Sequence, residues 1–472
     1  MKNLATTALL GGALLLSFGC RAQTAAPALM TFSTGTGGGA ATVTVSALAT
    51  GLTNPWELIW GPDNFIWMTE RAGRISRVNP ATGQVLRLLN VPDVNETGES
   101  GLLGMALHPQ FAANPYVYVV YNYAVNQVLK EKLVRYTYAA GAVGTAGSLG
   151  SPLVLVENIP AVSTHSGSRL LILPDLTLLM TTGDAQQTSL AQTPGALNGK
   201  ILRLNLDGSV PADNPTPGSL VYTLGHRNPQ GLVRLPSGRL YASEHGPSND
   251  DEINLIEPGR NYGWPNVEGL CDQPGEQAFC AANNVREPLT TWSPTIAPAA
   301  LQYYDYPAIP AWRGSLLLAT LKNQQLVQLA LSPAGEAISS RTEFLNGAFG
   351  RLRALCVSPQ GKVYVGTSNS GNDRILMLEN RAYVATATTS GAAPTPALTL
   401  YPNPARQQVR VQLPATGARL TLLDATGRQV RELALVGASA DLELAGLTPG
   451  LYVLRAVTAA GVSTRRLVVE AP

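Results

Sequence analysis

Residues 170–184 read LLILPDLTLLMTTGD: an apolar run, a Pro-Asp turn, and a second apolar run ending in Thr-Thr-Gly-Asp. Two short apolar segments joined by turn residues predict a β-hairpin. The same pattern returns five times: LIWGPDNFIWMTE (58–70), MALHPQFAANPYVYVVYN (105–122), LVRLPSGRLYASEHG (232–246), LQYYDYPAIPAWRGSLLLATL (301–321) and LCVSPQGKVYVGTS (355–368). Several copies are followed by a further strand-like run, as in GRISRV (73–78), GKILRLNL (199–206) and QLVQLAL (325–331). Recurrence of one supersecondary unit along a chain points to radial repetition, the way a propeller protects its sheet edges. The expectation is an all-β six-bladed β-propeller. A pair of β-sandwiches explains a six-fold recurrence poorly.

Outward from this body the composition changes. The start, MKNLATTALLGGALLLSFGCRAQ, has Lys2, a short apolar core and small residues near Ala22. That is the pattern of an export signal, assigned to residues 1–22. Ser17 stands where lipoprotein signals usually carry Leu, so cleavage near Ala22–Gln23 is favoured over lipidation of Cys20. Residues 23–42 are small, polar and Gly-rich, and are read as a flexible linker. The propeller is placed at 43–384 and a second Ala/Thr/Pro-rich linker at 385–397. The tail, 398–472, alternates with period two in LTLYPNPARQQVRVQLP and ARLTLLDATGRQVREL, which predicts a small C-terminal β-sandwich. Cys271 and Cys280 are close neighbours in an exported chain and are expected to form a disulfide, worth about 3 kcal/mol in the chain-entropy model. Cys356 lies in an apolar alternation and is read as a buried thiol. Only 14% of residues are charged and the net charge is +2, which argues against a nucleic-acid or anionic-membrane partner.

In a propeller the loops flanking the innermost strands converge at the channel mouth. Those positions hold Glu99 in TGESGLLG, His165 in STHSGSRL, Arg227 and Asn228 in GHRNPQGL, Lys322 after LLLATL, and Arg351 and Arg353 in GRLRAL. Each cation alone reads as a loop pin or a solvated side chain. Arg351 and Arg353, at i and i+2, are expected to share a strand face. Equivalent cationic positions in several blades instead suggest a funnel for a planar polyanion, because guanidinium groups fork onto carboxylates and stack on rings. The loop SEHGPSNDDEIN (243–254) suits a hard cation such as calcium, or simply a polar turn capped by its own acids.

Taken in order, GLLGMALHPQF, HSGSRLLILPD, TTGD, GHRNPQGL, SEHGPSNDDEINLI, GRNYGWP, Leu321-Lys322 and RLRAL resemble the soluble PQQ-dependent glucose/sorbosone (aldose sugar) dehydrogenases over about residues 45–380. The resemblance implies oxidation of the anomeric carbon of aldoses to lactones. PQQ would lie at the channel mouth, held by Asn228, Lys322, Arg351 and Arg353 with Glu99 beside it. A calcium would bridge PQQ and the carbonyls of Gly246 and Pro247, and a second would sit near Glu252 and Tyr262. His165 would be the general base, with hydride passing to the quinone C5, and Arg227 would polarise the quinone oxygen. An external electron acceptor must then reoxidise the cofactor. His108, His226 and His245 are read as turn and loop residues. The tail motifs LYPNPARQQVRVQLP and LTPGLYVLRAVTAAGVSTRRLVV resemble the C-terminal sorting domain of the type IX secretion system, implying a secreted or surface-attached protein.

Two positions depart from the family pattern. Thr164 stands where relatives often carry an acid that would orient the histidine and raise its basicity. Glu99 stands where they often carry Gln, and its carboxylate would repel those of PQQ unless offset. No long additional loop shapes a glucose-selective site, so broad aldose specificity, or a substrate other than glucose, is expected. The alternatives are a non-catalytic secreted propeller binding carbohydrate or protein, and a calcium-dependent lactonase. The sequence leaves the physiological sugar, the acceptor and the oligomeric state open.

Overall fold

The computed structural model describes residues 28–35, 39–141, 146–383, 398–413, 418–424, 428–435, 437, 439–458 and 461–470. The export signal with Cys20, and the linker expected at 385–397, lie outside the described residues. The chain divides into two compact units, Met1–Val384 and Ala385–Pro472.

In the first unit β1 (Ala28–Ser33) and β2 (Thr42–Leu52) precede the blades. Blade one is β3 (Pro55–Trp60), β4 (Ile66–Glu70), β5 (Arg74–Val78) and β6 (Val85–Asn90). Blade two is β7 (Leu102–Leu107), β8 (Tyr116–Val125), β9 (Val128–Ala139) and β10 (Ser148–Pro160). Blade three is β11 (Gly167–Ile172), β12 (Thr177–Thr182), β13 (Lys200–Asn205) and β14 (Val221–Leu224). Blade four is β15 (Pro229–Arg234), β16 (Leu240–Glu244), β17 (Asp251–Ile256) and β18 (Thr290–Trp292). Blade five is β19 (Pro298–Tyr304), β20 (Ser315–Thr320), β21 (Leu326–Leu331) and β22 (Ile338–Phe344). Blade six starts with β23 (Leu352–Val357), β24 (Val363–Thr367) and β25 (Asp373–Glu379). Every hairpin anticipated from the repeat is the inner pair of a blade.

Local chemistry explains the opening hairpin. The Asp175 carboxylate accepts the Thr177 amide at 3.0 Å, Leu173 N donates to Thr177 O, and Leu176 takes the left-handed turn position at φ 63°. Burial of Leu178, Leu179 and Met180 on both sheet faces fits a strand enclosed by neighbouring blades.

The innermost strands close a ring. β3 touches β7, β7 touches β11, and so on through β15, β19 and β23, which touches β3 again. The sixth sheet runs β1-β2-β25-β24-β23, so N-terminal strands complete the last blade. This corrects the reading of residues 23–42 as a flexible linker. Within it β1 pairs with β2, and Phe32 packs on Trp312 at 6.2 Å and Phe344 at 5.0 Å between ring centroids. Burial of that aromatic face orders a strand that its Gly-rich flank conceals.

The second unit is a sandwich of two antiparallel sheets. One holds β26 (Thr399–Tyr401), β27 (Gln408–Gln412) and β30 (Ser439–Glu443). The other holds β28 (Ala418–Leu423), β29 (Gln429–Leu435), β31 (Gly450–Thr458) and β32 (Gly461–Val469). Val409, Val411, Leu420, Leu422, Leu454 and Leu467 form its core. The one α-helix among the described residues, α1 (Pro274–Ala282), lies in the segment between β17 and β18, and the expected disulfide ties its Cys280 to Cys271 just before it. Cys356 is a buried free thiol.

Candidate functional site

The first strand of every blade begins at the same end of the channel, and the second strand returns there. His165, Arg227, Asn228 and Arg351 immediately precede inner strands, and Glu99 precedes β7 by a short loop. Gly246, Pro247 and Lys322 follow the returning strands. The register pairs Gly167 with Thr182, Pro229 with Glu244, Pro298 with Thr320 and Leu352 with Thr367, which brings these loops to one mouth.

His165 is held from several sides. Its backbone sits at φ 54°, with Gly167 at φ 66° and Ser168 at φ 73°. A Cβ on Gly183 would lie 1.8 Å from His165 O, so only glycine lets the two loops approach this closely. His165 N donates to Glu99 Oε2 at 3.4 Å, and Asn228 Oδ1 accepts the Gly167 amide at 3.0 Å. The imidazole Nδ1 lies 2.8 Å from Asp184 Oδ1.

Asp184 closes the TTGD motif, and its role as partner of His165 is not visible in the sequence pattern. It provides the orienting acid that Thr164 does not; the Thr164 hydroxyl instead accepts from Gln186 Nε2 at 2.7 Å. Asp184 also accepts Gln186 N and Trp264 Nε1, each at 2.8 Å, and its own amide donates to Arg227 O. Burial alone would raise the Asp184 carboxyl. Hydrogen bonds from His165, Gln186 and Trp264, with the His165 charge, hold it below the ordinary value, so it is a carboxylate.

Arg227 and Asn228 are fixed through Glu244. That buried carboxylate lies 2.8 Å from His226 Nδ1, and it accepts the amides of Arg227 and Asn228. His226 therefore holds a loop, as anticipated. The Arg227 guanidinium donates to His245 O at 3.2 Å and lies 5.3 Å from the centre of the Trp264 ring. Burial lowers the Arg227 pKa, and the charges of Asp184, Glu244, Asp251 and Glu99 work against that shift. Burial also lowers the half-buried His245 to about 4, so it is neutral and donates Nε2–H to Pro298 O at 2.8 Å.

The two arginines before and within β23 part company. Arg351 is exposed, whereas Arg353 is 4% exposed. A register irregularity between Leu352 and Ala354 interrupts the simple alternation that predicted one shared face. Arg353 donates to Gln230 Oε1 at 2.9 Å and faces Trp56, which also carries Arg169 over its ring at 4.2 Å. Burial lowers the Arg353 pKa to about 9, with Glu99 opposing, so it stays cationic at neutral pH. Arg169 pairs with Glu57 and donates to Gln230 O. This layer floors the mouth; a cavity of about 410 Å3 lined by all six inner strands, including Ile59, Leu107, Ile172 and Val357, lies in the other half of the channel. Lys322 is exposed and donates to Thr295 Oγ1 at 2.8 Å.

Two buried donors at the mouth, Arg227 Nε and Asn228 Nδ2, have no hydrogen-bond partner among the described residues. Unsatisfied buried donors beside cationic Arg353 and Arg227 fit a polyanionic ligand rich in acceptor oxygens. The loop around Gly246 divides its acids. Asp251 accepts the amides of Gly246, Ile296 and Ala297, so it caps backbone rather than offering free oxygens. The carbonyls of Gly246 and Pro247 accept no hydrogen bond among the described residues, which leaves them available to a hard cation. Behind them, Gly246, Pro247, Glu244 and Glu252 line a cavity of about 10 Å3, room for one water-sized particle. Burial, then the Glu244 charge, push the Glu252 carboxyl well up. The Tyr262 hydroxyl is committed, donating to Leu255 O at 2.7 Å and accepting Glu257 N at 2.9 Å, so only its backbone oxygen could serve a metal.

Comparison with known proteins places the chain in a family. A family model described as Glucose / Sorbosone dehydrogenase matches residues 52–377, and one described as Secretion system C-terminal sorting domain matches residues 399–470. The chain is 35% identical over 408 residues to quinoprotein glucose dehydrogenase B of Acinetobacter calcoaceticus, covering 68% of this chain and 84% of that protein. The PQQ-bound aldose sugar dehydrogenase of Streptomyces coelicolor superposes with a TM-score of 0.63 at 36% identity, covering 72% of this chain and 98% of that one. The apo soluble aldose sugar dehydrogenase of Escherichia coli gives 0.65 at 27% identity, covering 72% and 100%.

Proposed function

This chain belongs to the glucose/sorbosone dehydrogenase family, and on that premise we propose that it oxidises aldoses at the anomeric carbon to lactones with PQQ as cofactor. The carrying observation is the Asp184–His165 pair beside the unsatisfied donors of Arg227 and Asn228. Asn228, Lys322, Arg351 and Arg353 would hold PQQ, with Glu99 at its edge. When bound, PQQ supplies a quinone that accepts a hydride.

The chain's own groups supply the proton chemistry. Asp184 accepts Nδ1–H and so leaves His165 Nε2 as the basic nitrogen. Nε2 takes the proton of the sugar's anomeric hydroxyl, and the carbon–oxygen bond becomes the lactone carbonyl as hydride departs. Arg227 offsets negative charge developing nearby, held against free rotation by His245 O and Trp264. A calcium would take the carbonyls of Gly246 and Pro247, and a second would sit at Glu252 and the backbone of Tyr262. An external acceptor removes the electrons. The sorting domain supports delivery by type IX secretion machinery to the exterior or cell surface, after export directed by residues 1–22.

Titrating the full apo-protein with PQQ and calcium, then adding mixed aldoses with a dye acceptor, tests the reading. Saturable cofactor binding and sugar-dependent dye reduction lost in His165→Ala are expected. No PQQ binding would overturn the assignment.

A further inference from the structure

Trp264 touches Asp184, the partner of the base, and Arg227. It lies in GRNYGWP, between β17 and α1, and is half-buried. Its backbone is fixed twice: Trp264 N donates to Gly225 O at 3.0 Å, and Gln192 Nε2 donates to Trp264 O at 2.7 Å. Its indole Nε1–H donates to Asp184 Oδ2 at 2.8 Å, and its ring faces the Arg227 guanidinium at 5.3 Å.

The two oxygens of Asp184 are not equivalent. Oδ1 serves the His165 ring and the Gln186 amide. Oδ2 has Trp264 Nε1–H as its hydrogen-bond donor. Two hydrogen bonds at opposite ends of a carboxylate fix its plane, and that plane fixes the imidazole. With the indole donor gone, Oδ2 is left buried and unsatisfied, and the carboxylate is free to turn about its own bond. A ring face toward the cation likewise orients Arg227 without spending its donors.

We propose that Trp264 is a positioning residue for this site: its N–H locks the Asp184 carboxylate, and through it the plane and tautomer of His165, while its ring holds Arg227 in place. This rests on the dehydrogenase reading for its kinetic consequence, but not for its structural one. The charged groups facing the pair are Glu99, which accepts His165 N, and Arg227, whose carbonyl accepts Asp184 N; Glu244 backs Arg227.

The test compares the full chain with Trp264→Phe and with Trp264→3-benzothienylalanine, in which sulfur replaces the indole N–H without changing shape. The first readout needs no turnover. The imidazole Nδ1–H proton, assigned by its loss in His165→Ala, is followed by NMR in the apo-protein. It is expected to shift or disappear into exchange in both variants. The second is steady-state kinetics, where kcat is expected to fall about 10-fold, with the sugar KM and PQQ affinity within about two-fold of the parent. An unchanged Nδ1–H signal and unchanged kcat in the isosteric variant would overturn the proposal. A parent without sugar-dependent dye reduction would overturn the dehydrogenase reading instead, and the NMR comparison would still decide the role of Trp264.

Discussion

The Asp184 carboxylate and the His165 imidazole meet at 2.8 Å across 19 residues of chain, joined by the turn of a single hairpin. His165 is 16% exposed at the side chain and Asp184 fully enclosed, so the base opens toward the mouth while its partner is shielded from water. A shielded carboxylate both selects the tautomer and stabilises the imidazolium formed on proton transfer.

Asp184→Asn tests that division of labour. The amide keeps the shape and can still accept from Trp264, but it removes the charge and can present an N–H toward Nδ1. The expected result is a fall in kcat of about 100-fold or more, with PQQ affinity little changed, because Asp184 is not among the groups assigned to the cofactor. Stopped-flow dye reduction and PQQ titration on the same preparation separate the two effects.

Arg351 and Arg353 should differ sharply. Arg353 is buried on Trp56 and donates to Gln230 Oε1 and Ser368 Oγ, so Arg353→Lys loses a planar, multiply bonded guanidinium in a desolvated place. It should weaken PQQ binding about 10-fold or more, and Arg351→Ala, at an exposed position, only a few-fold. The dissociation constants of the two variants, measured by quinone absorbance at fixed calcium, check this; equal losses would mean that burial does not govern the contribution.

How much of this was legible follows from what is local. The hairpins were, since alternation and turn residues lie within a few positions of each other. The mouth residues were, since they flank inner strands. The Asp184–His165 contact is implicit in the antiparallel pairing of Gly167 with Thr182, continued two residues outward on each strand, but that register has to be known first. β1 was hidden because Phe32 finds Trp312 and Phe344 only after the ring closes. The burial of Arg353 depends on a strand irregularity that no residue pattern announced.

Calcium should act on stability as well as on the cofactor. Glu244 is buried and Glu252 half-buried, and both line the same small cavity as the Gly246 and Pro247 loop. A bound divalent cation would offset this charge and stabilise the folded state by mass action. Chelation is expected to lower Tm by several degrees, and calcium to restore it. In Glu252→Gln the response to calcium should shrink while the Tm in chelator rises. Differential scanning calorimetry with and without calcium reads both.

Glu131 lies beneath the His165 loop and gives the fold a pH dependence of its own. Ser168 Oγ donates to its Oε2 at 2.9 Å. Burial raises its carboxyl to about 8, with Ser168 and Asn122 opposing. In the unfolded chain the same group returns to the ordinary Glu range. A folded-state value above the unfolded one means that the native state holds the extra proton. Its contribution is therefore complete below the unfolded value and is lost as pH rises through the folded one. The parent should lose stability between about pH 5 and pH 8, on the order of a few kcal/mol. Glu131→Gln keeps the acceptor for Ser168 and carries no proton to lose, so that part of the slope should vanish. Urea midpoints at several pH values across this range, for both proteins, measure it; parallel curves would show that Glu131 titrates alike in the folded and unfolded chain.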